Sequence, residues 1–258
     1  MYRRESVMRC LKCGSKSIIK KGKVKTRQKV KKVQRFKCKA CGNQFTNRTE
    51  NEIYRQKRPE LNKSIQSLYV EGMPLRAIAR HLGCSYNTVV RKFKKLSSLS
   101  QIENLRRREG VHSVIQLDEL HTFIGKKSNR VYVAIAVGDN GQILGFKVSQ
   151  PENRRRKFSE FLVEIKDNVT IDTIFFFDQD KMYPPEFNRV FPDNDYADIN
   201  TARNVPKTGL LNQVDFVCAL IRNRLGRANR KSWCFTRKLQ RLEKNLSMLM
   251  ATWNQRFV

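Results

Sequence analysis

The chain has 258 residues, enough for a sizeable core plus one or two small modules, with 53 Lys+Arg against 23 Asp+Glu and a formal charge of +30. A balance that basic points to a polyanionic partner. No stretch approaches the roughly 18 to 20 apolar residues needed to span a bilayer, so double-stranded DNA or another nucleic acid is favoured over a membrane. The opening "MYRRESVMRC" has no apolar signal-peptide core, and the seven cysteines are odd in number. Both argue for a cytoplasmic protein without disulfides.

The first segment, 1–50, carries "CLKC" at 10–13 and "CKAC" at 38–41. Each C-x-x-C pair lets two thiolates bind one tetrahedral ion, so Cys10, Cys13, Cys38 and Cys41 are expected to hold one structural zinc. The residues between the pairs have β-type patches (Ile18, Ile19, Val30, Val33, Phe36) but too little apolar surface to fold alone, so the metal must supply stability. No acid lies between Glu5 and Glu50. A basic zinc ribbon of this kind suits DNA phosphates.

The second segment, 58–97, places Leu61, Ile65, Leu68 and Tyr69 at helical spacing, and Gly72 stops that helix. "PLRAIARHLGCSYNTVVRKFKKL" then predicts two short helices around a turn at Gly83. Ile78, Leu82, Val89, Val90 and Phe93 face a core, and Ser85 caps the second helix. This is a helix-turn-helix pattern, in which Ser85, Tyr86, Asn87 and Arg91 face the major groove. His81 reads as a surface or phosphate-contacting residue rather than a metal ligand. Residues 98–112 read as a polar linker or linker helix.

The third segment, 113–258, predicts strands at 113–118, 130–139 and 142–149, the last two joined by the "GDNG" turn. An amphipathic helix in "RRKFSEFLVEIKDNV" follows, with Phe158, Phe161, Leu162 and Ile165 inward. "DTIFFFD" is a further buried strand, and helix is expected from about 211 on. The order is that of an α/β domain with a mixed sheet and helices.

Within this segment, "SVIQLD" and "TIFFFD" each end an apolar strand in an acid, Asp118 and Asp178. A carboxylate in a β run is costly unless it is paired or coordinating. Two such strand ends side by side repel unless a divalent cation neutralises them. Asp215 is the only acid between Asp198 and Glu243. Helical spacing puts it on one face with Leu211, Cys218, Ala219 and Arg222, pointing toward the sheet. Three such acids suit two magnesium or manganese ions doing phosphoryl transfer on DNA. Glu119 is turned by strand alternation to the opposite face, and Cys218 and Cys234 read as packing residues.

These segments together resemble a transposase of the insertion sequence one family. "CLKC" with "QRFKCKACGNQFT" resembles its ribbon, and "GMPLRAIARHLGCSYNTVVR" its helix-turn-helix. "LDELHTFIGKKSNRVYVAIAVGDNGQILGF" and "FFFDQDKMY" resemble the surroundings of its first two catalytic acids, with Tyr183 at a matching place. "IRNRLGRANRKSWCFTRKLQRLEK" resembles its basic tail.

The resemblance covers nearly the whole chain. It implies a ribonuclease-H-like catalytic domain, binding to terminal inverted repeats, and metal-dependent strand cleavage and transfer by Asp118, Asp178 and Asp215. Arg222, Arg227, Arg230 and Lys231 would hold phosphates. A homo-oligomer would form on the DNA of a prokaryotic nucleoid. Asp215 stands where the family has Glu, His121 where it has Trp, and Gln179 where it has Gly. A transposase-derived DNA-binding regulator is the alternative, and an RNA-binding ribosome-associated protein shares only the charge and the zinc.

Overall fold

The computed structural model describes residues 8, 10, 12–13, 15–25, 32–46, 56–107, 110–199, 211–225 and 238–257. The chain divides into two compact units. One holds the first three strands and, but for Val70, the first three helices; the other holds everything from the fourth strand on.

In the first unit, strands β1 (Ile18–Lys25), β2 (Lys32–Cys38) and β3 (Gln44–Thr46) form an antiparallel sheet in that order. Its buried core is Cys10, Phe36, Cys38 and Phe45, with Met8, Ile18 and Cys41 packed against it. A cluster this small does not hold a sheet by apolar burial alone.

Helices α1 (Leu61–Val70), α2 (Leu75–His81) and α3 (Tyr86–Arg107) follow. Ile65, Tyr69, Ile78, Val89 and Phe93 are buried as the spacing predicts, while Leu82 and Val90 are half-buried. Tyr69 and Phe93 pack with ring centroids 4.5 Å apart. Gly83 takes a left-handed φ of 57° at the turn, a conformation open to Gly at little cost. The buried Lys92 ammonium donates to Asn62 Oδ1 at 3.0 Å and Gln56 Oε1 at 2.8 Å, tying α3 to α1. Burial lowers its pKa.

The second helix of the pair is not short. Helix α3 has 22 residues and runs on into 98–107, so that stretch takes the helical one of the two forms expected for the linker. Ser97 and Ser98 would favour a turn, yet both hydroxyls donate back to the Lys94 carbonyl, at 3.1 and 2.9 Å, which keeps them compatible with the helix. Leu96, Ser97, Ser100 and Asn104 then continue a buried stripe.

The second unit is a five-stranded mixed sheet. Its strands are β4 (Val114–Phe123), β5 (Arg130–Gly138), β6 (Ile143–Ser149), β7 (Ile174–Asp178) and β8 (Tyr196–Ile199), arranged β6-β5-β4-β7-β8. β4, β5 and β6 pair antiparallel, whereas β7 runs parallel to both β4 and β8. Helices α4 (Arg154–Ile165) and α5 (Tyr183–Val190) cover one face. Their Phe158, Phe161, Leu162, Ile165, Tyr183 and Phe187 form one core with Ile115, Leu117, Phe175 and Phe177 of the sheet. Helix α6 (Asn212–Arg224) packs on β4 and β5, and α7 (Leu239–Asn254) on β6.

The start of β4 is fixed by a polar knot. His112 Nδ1 lies 2.8 Å from Asp139 Oδ1, and Ser113 donates to Asp139 Oδ2 through its amide at 3.0 Å and its hydroxyl at 2.6 Å. Gly138 is required there, because a Cβ would sit 2.4 Å from His112 Nδ1.

Two expectations change. Asp118 does not end its strand: β4 continues to Phe123, paired with β5 throughout. Only the pairing with β7 stops early, at Gln116 opposite Phe176. Asp118 is therefore a strand end toward β7 and mid-strand toward β5. Nor does Asp215 face the sheet. The buried side of α6 is Val214, Val217, Cys218 and Ile221, and Asp215, Ala219 and Arg222 are exposed. The face is set by the β-branched and Ile residues at three- and four-residue spacing, and Asp215 falls on its rim.

Candidate functional site

The four ribbon cysteines converge. Their Sγ atoms all lie within 4.8 Å of one another. Cys10 and Cys41 are 3.5 Å apart and Cys13 and Cys38 3.6 Å, far beyond a bonded disulfide. Zinc–sulfur bonds of about 2.3 Å in a tetrahedron give sulfur–sulfur edges near 3.8 Å, so the set fits one zinc ion.

Each knuckle is shaped by backbone hydrogen bonds. The Cys10 amide donates to the Ser15 carbonyl and the Cys38 amide to the Asn43 carbonyl, both at 2.9 Å. The Lys12 amide reaches Cys10 Sγ at 3.4 Å. The Cys41 amide beside Cys38 outweighs its burial, and the Cys13 thiol and the Ala40 amide add to it, bringing the Cys38 thiol down to about 6, toward the thiolate form a metal needs.

On the helical pair, Ser85 Oγ accepts from the Thr88 amide at 3.2 Å, the N-cap that the sequence predicts. Ser85, Tyr86, Asn87 and Arg91 are all exposed on the first turns of α3. Arg76 of α2 lies over the Tyr86 ring at 5.7 Å. His81 is exposed, in keeping with a surface role.

The acids gather around β4, β7 and α6. The β4–β7 register ends with Gln116 opposite Phe176, and two residues further on stand Asp118 in β4 and Asp178 at the end of β7. Asp118 Oδ1 accepts from the Glu119 amide at 2.7 Å and Oδ2 from Cys218 Sγ of α6 at 3.5 Å. Burial, followed by the negative charges of Asp178 and Asp215, pushes Asp118 up to about 6. Asp215 thus acts on Asp118 from the rim of α6. Among the described residues, the cysteines form a tight metal-ligating group and the three aspartates do not close into one.

Two residues that position this region carry no motif. Gln116 Oε1 accepts from the Gln213 and Val214 amides at 3.1 and 3.0 Å, so a β4 side chain caps α6. Its signal in the sequence is a polar residue two positions before Asp118, on the same strand face.

Arg154, at the start of α4, bridges Glu119 at 2.6 Å and Asp180 at 2.5 Å, with its guanidinium 4.6 Å from the Tyr132 ring centroid. It ties the segment after Asp178 to β4. Glu119 is on the opposite face from Asp118, as strand alternation predicts, and burial pushes it up to about 6 despite Arg154. The signal for Arg154 is a run of arginines at a helix N-terminus, where the dipole disfavours cations unless a carboxylate compensates.

Tyr183 is buried against Phe158 and Phe177. Cys218 packs as expected and Arg222 is exposed, while Cys234 and the residues expected to hold phosphates, Arg227, Arg230 and Lys231, lie outside the described residues. No helix among the described residues is long and apolar enough to cross a membrane.

Residues 61–95 match the model of a helix-turn-helix domain family, a DNA-binding module. A search of curated proteins gave no match.

Proposed function

We propose that the chain is an insertion-sequence DNA transposase of the kind its motifs resemble. It binds terminal inverted repeats through the zinc ribbon and helix-turn-helix, then cleaves and transfers strands as an oligomer on DNA. Asp118, Asp178 and Asp215 hold magnesium or manganese, and the mixed sheet is read as ribonuclease-H-like. One observation carries this: the parallel register of β4 and β7, which ends with Gln116 opposite Phe176, heads toward Asp118 on one strand and Asp178 on the other, and the charges of Asp178 and Asp215 both bear on the buried Asp118 carboxyl. Like-charged carboxylates in a half-buried site are unfavourable alone and become favourable around divalent cations.

In this reading, the ions supply Lewis-acid activation of the attacking oxygen and charge neutralisation at the leaving oxygen. The chain's own residues do the positioning. Gln116 holds α6 and with it Asp215; Arg154 holds the segment that follows Asp178. Exposed Arg222 offers a phosphate contact. Four cysteines around one zinc hold the basic ribbon sheet in shape.

The test is magnesium-dependent cleavage or joining of DNA carrying the inverted repeats that flank the gene. Nicked or joined products, lost in Asp118→Asn and Asp178→Asn, support the reading. The second reading, a transposase-derived DNA-binding regulator, is favoured by the solvent exposure of Asp215, where the family has Glu. It predicts end-specific binding without cleavage, and no rescue by Asp215→Glu.

A further inference from the structure

We propose that Phe216, Trp253 and Arg256 form a stacking platform for an unpaired base of the DNA strand led to the acids. The inference rests on the reading of the second unit as a DNA-processing domain. Phe216 directly follows Asp215 on α6 and is 56 % exposed. One exposed Phe is ordinary; its company makes this one a site. Its ring centroid is 5.7 Å from that of Trp253, the planes inclined at 47°. The Arg256 guanidinium sits 4.5 Å from the Trp253 ring centroid.

The Trp253 end of the platform is anchored. Trp253 Nε1 donates to the Gly141 carbonyl at 3.0 Å, in the turn between β5 and β6. The next residue, Asn254, clamps the β6 backbone through both amide atoms, accepting from the Ile143 amide at 3.0 Å and donating to the Ile143 carbonyl at 2.8 Å. Gln213 Nε2 ties α6 to the same turn through the Asp139 carbonyl at 2.8 Å. A Trp253 ring fixed this way binds a planar ligand without losing rotamer freedom.

The ligand follows from the chemistry. Aromatic rings beside a guanidinium recognise the π-face of a base, with the cation free to meet its phosphate. On α6 and α7, Phe216 is the one exposed large hydrophobic among the described residues, far short of the apolar area a stable protein partner needs. Asp118 pairs with Ile135, and the turn that anchors Trp253 begins at Gly138. At ~3.3 Å per strand residue the platform lies about 10 Å along the sheet from the acid, a few nucleotides of single strand.

The test compares binding of the full chain to a blunt duplex and to the same duplex with a short single-stranded extension. A Trp233→Phe background leaves Trp253 the sole tryptophan. The extension is expected to tighten binding about tenfold and to quench Trp253 fluorescence. Phe216→Ala and Arg256→Ala lose that preference but keep duplex binding, and Phe216→Tyr retains it.

Equal affinity of the parent chain for both DNAs, or a preference that survives Phe216→Ala, overturns the platform. So does a Phe216→Ala chain that changes only in sedimentation, which would mark a protein contact. Absence of any DNA binding by the parent chain overturns the underlying reading instead.

Discussion

Asp118 shows how one carboxylate trades stability for a site. Its ordinary value of 3.8 rises to about 6 on folding, first through burial and then through Asp178 and Asp215. A raised acid costs nothing below its unfolded value, where both states are protonated. The cost grows as pH rises through that window and is complete above the folded value. Two units correspond to about 3 kcal/mol. In EDTA, Asp118→Asn is therefore expected to raise the melting temperature at pH 7.5, with the gain gone near pH 4; a variant no more stable than the parent at neutral pH would contradict it. Added magnesium should close the gap by stabilising the parent alone. Asp118 was legible in the sequence because a charge inside "VIQLDEL" has to be explained. Its true position, free toward β7 and paired toward β5, was not, since that depends on where a strand sixty residues away stops pairing.

The elements around the acids are joined by side chains that no motif announces. Gln116 replaces the missing intrahelical acceptors at the start of α6, so Gln116→Leu should free the Gln213 and Val214 amides. Faster hydrogen exchange at those two amides is expected, with a stability loss of about 1 to 2 kcal/mol; unchanged protection would remove Gln116 from this role. Arg154 is a second such joint. Arg154→Met leaves Glu119 buried without its partner and should cost about 3 to 5 kcal/mol, while Arg154→Met with Glu119→Gln should recover much of it. Chemical denaturation of the single and double variants measures both. Helices and strands were readable here from apolar spacing, since Phe158, Phe161, Leu162 and Ile165 do face the core. The joints were not, because a Gln in a strand and an Arg in a run of arginines have many possible partners until the topology selects one. The rim position of Asp215 has the same origin: spacing put it near the apolar stripe, and packing decided which residues the sheet covers.

At the scale of the whole molecule, three stretches of the sequence have different stabilising physics, thiolates, a helical core and an alternating sheet, while the structure divides into two compact units. The ribbon core is four residues, two of them cysteines, so metal removal should unfold it while the second unit keeps its own melting transition. Chelation that also abolishes that transition would show that the ribbon is not independent. The charge of +30 supplies the remaining prediction. Binding to duplex DNA should weaken steeply with salt, because each neutralised phosphate releases counterions and adds about −0.9 to the slope of log K against log salt concentration. Arg91, exposed on α3 beside Ser85 and Asn87, tests how that charge is divided. If Arg91 touches only a phosphate, Arg91→Ala reduces the slope by about one and weakens all sequences alike. If it reads a base edge, the slope stays while discrimination between a preferred duplex sequence and an altered one falls about tenfold or more. Salt titrations of the parent and Arg91→Ala on both DNAs distinguish the two. A slope near zero for the parent chain would remove the electrostatic basis on which DNA was inferred as the partner.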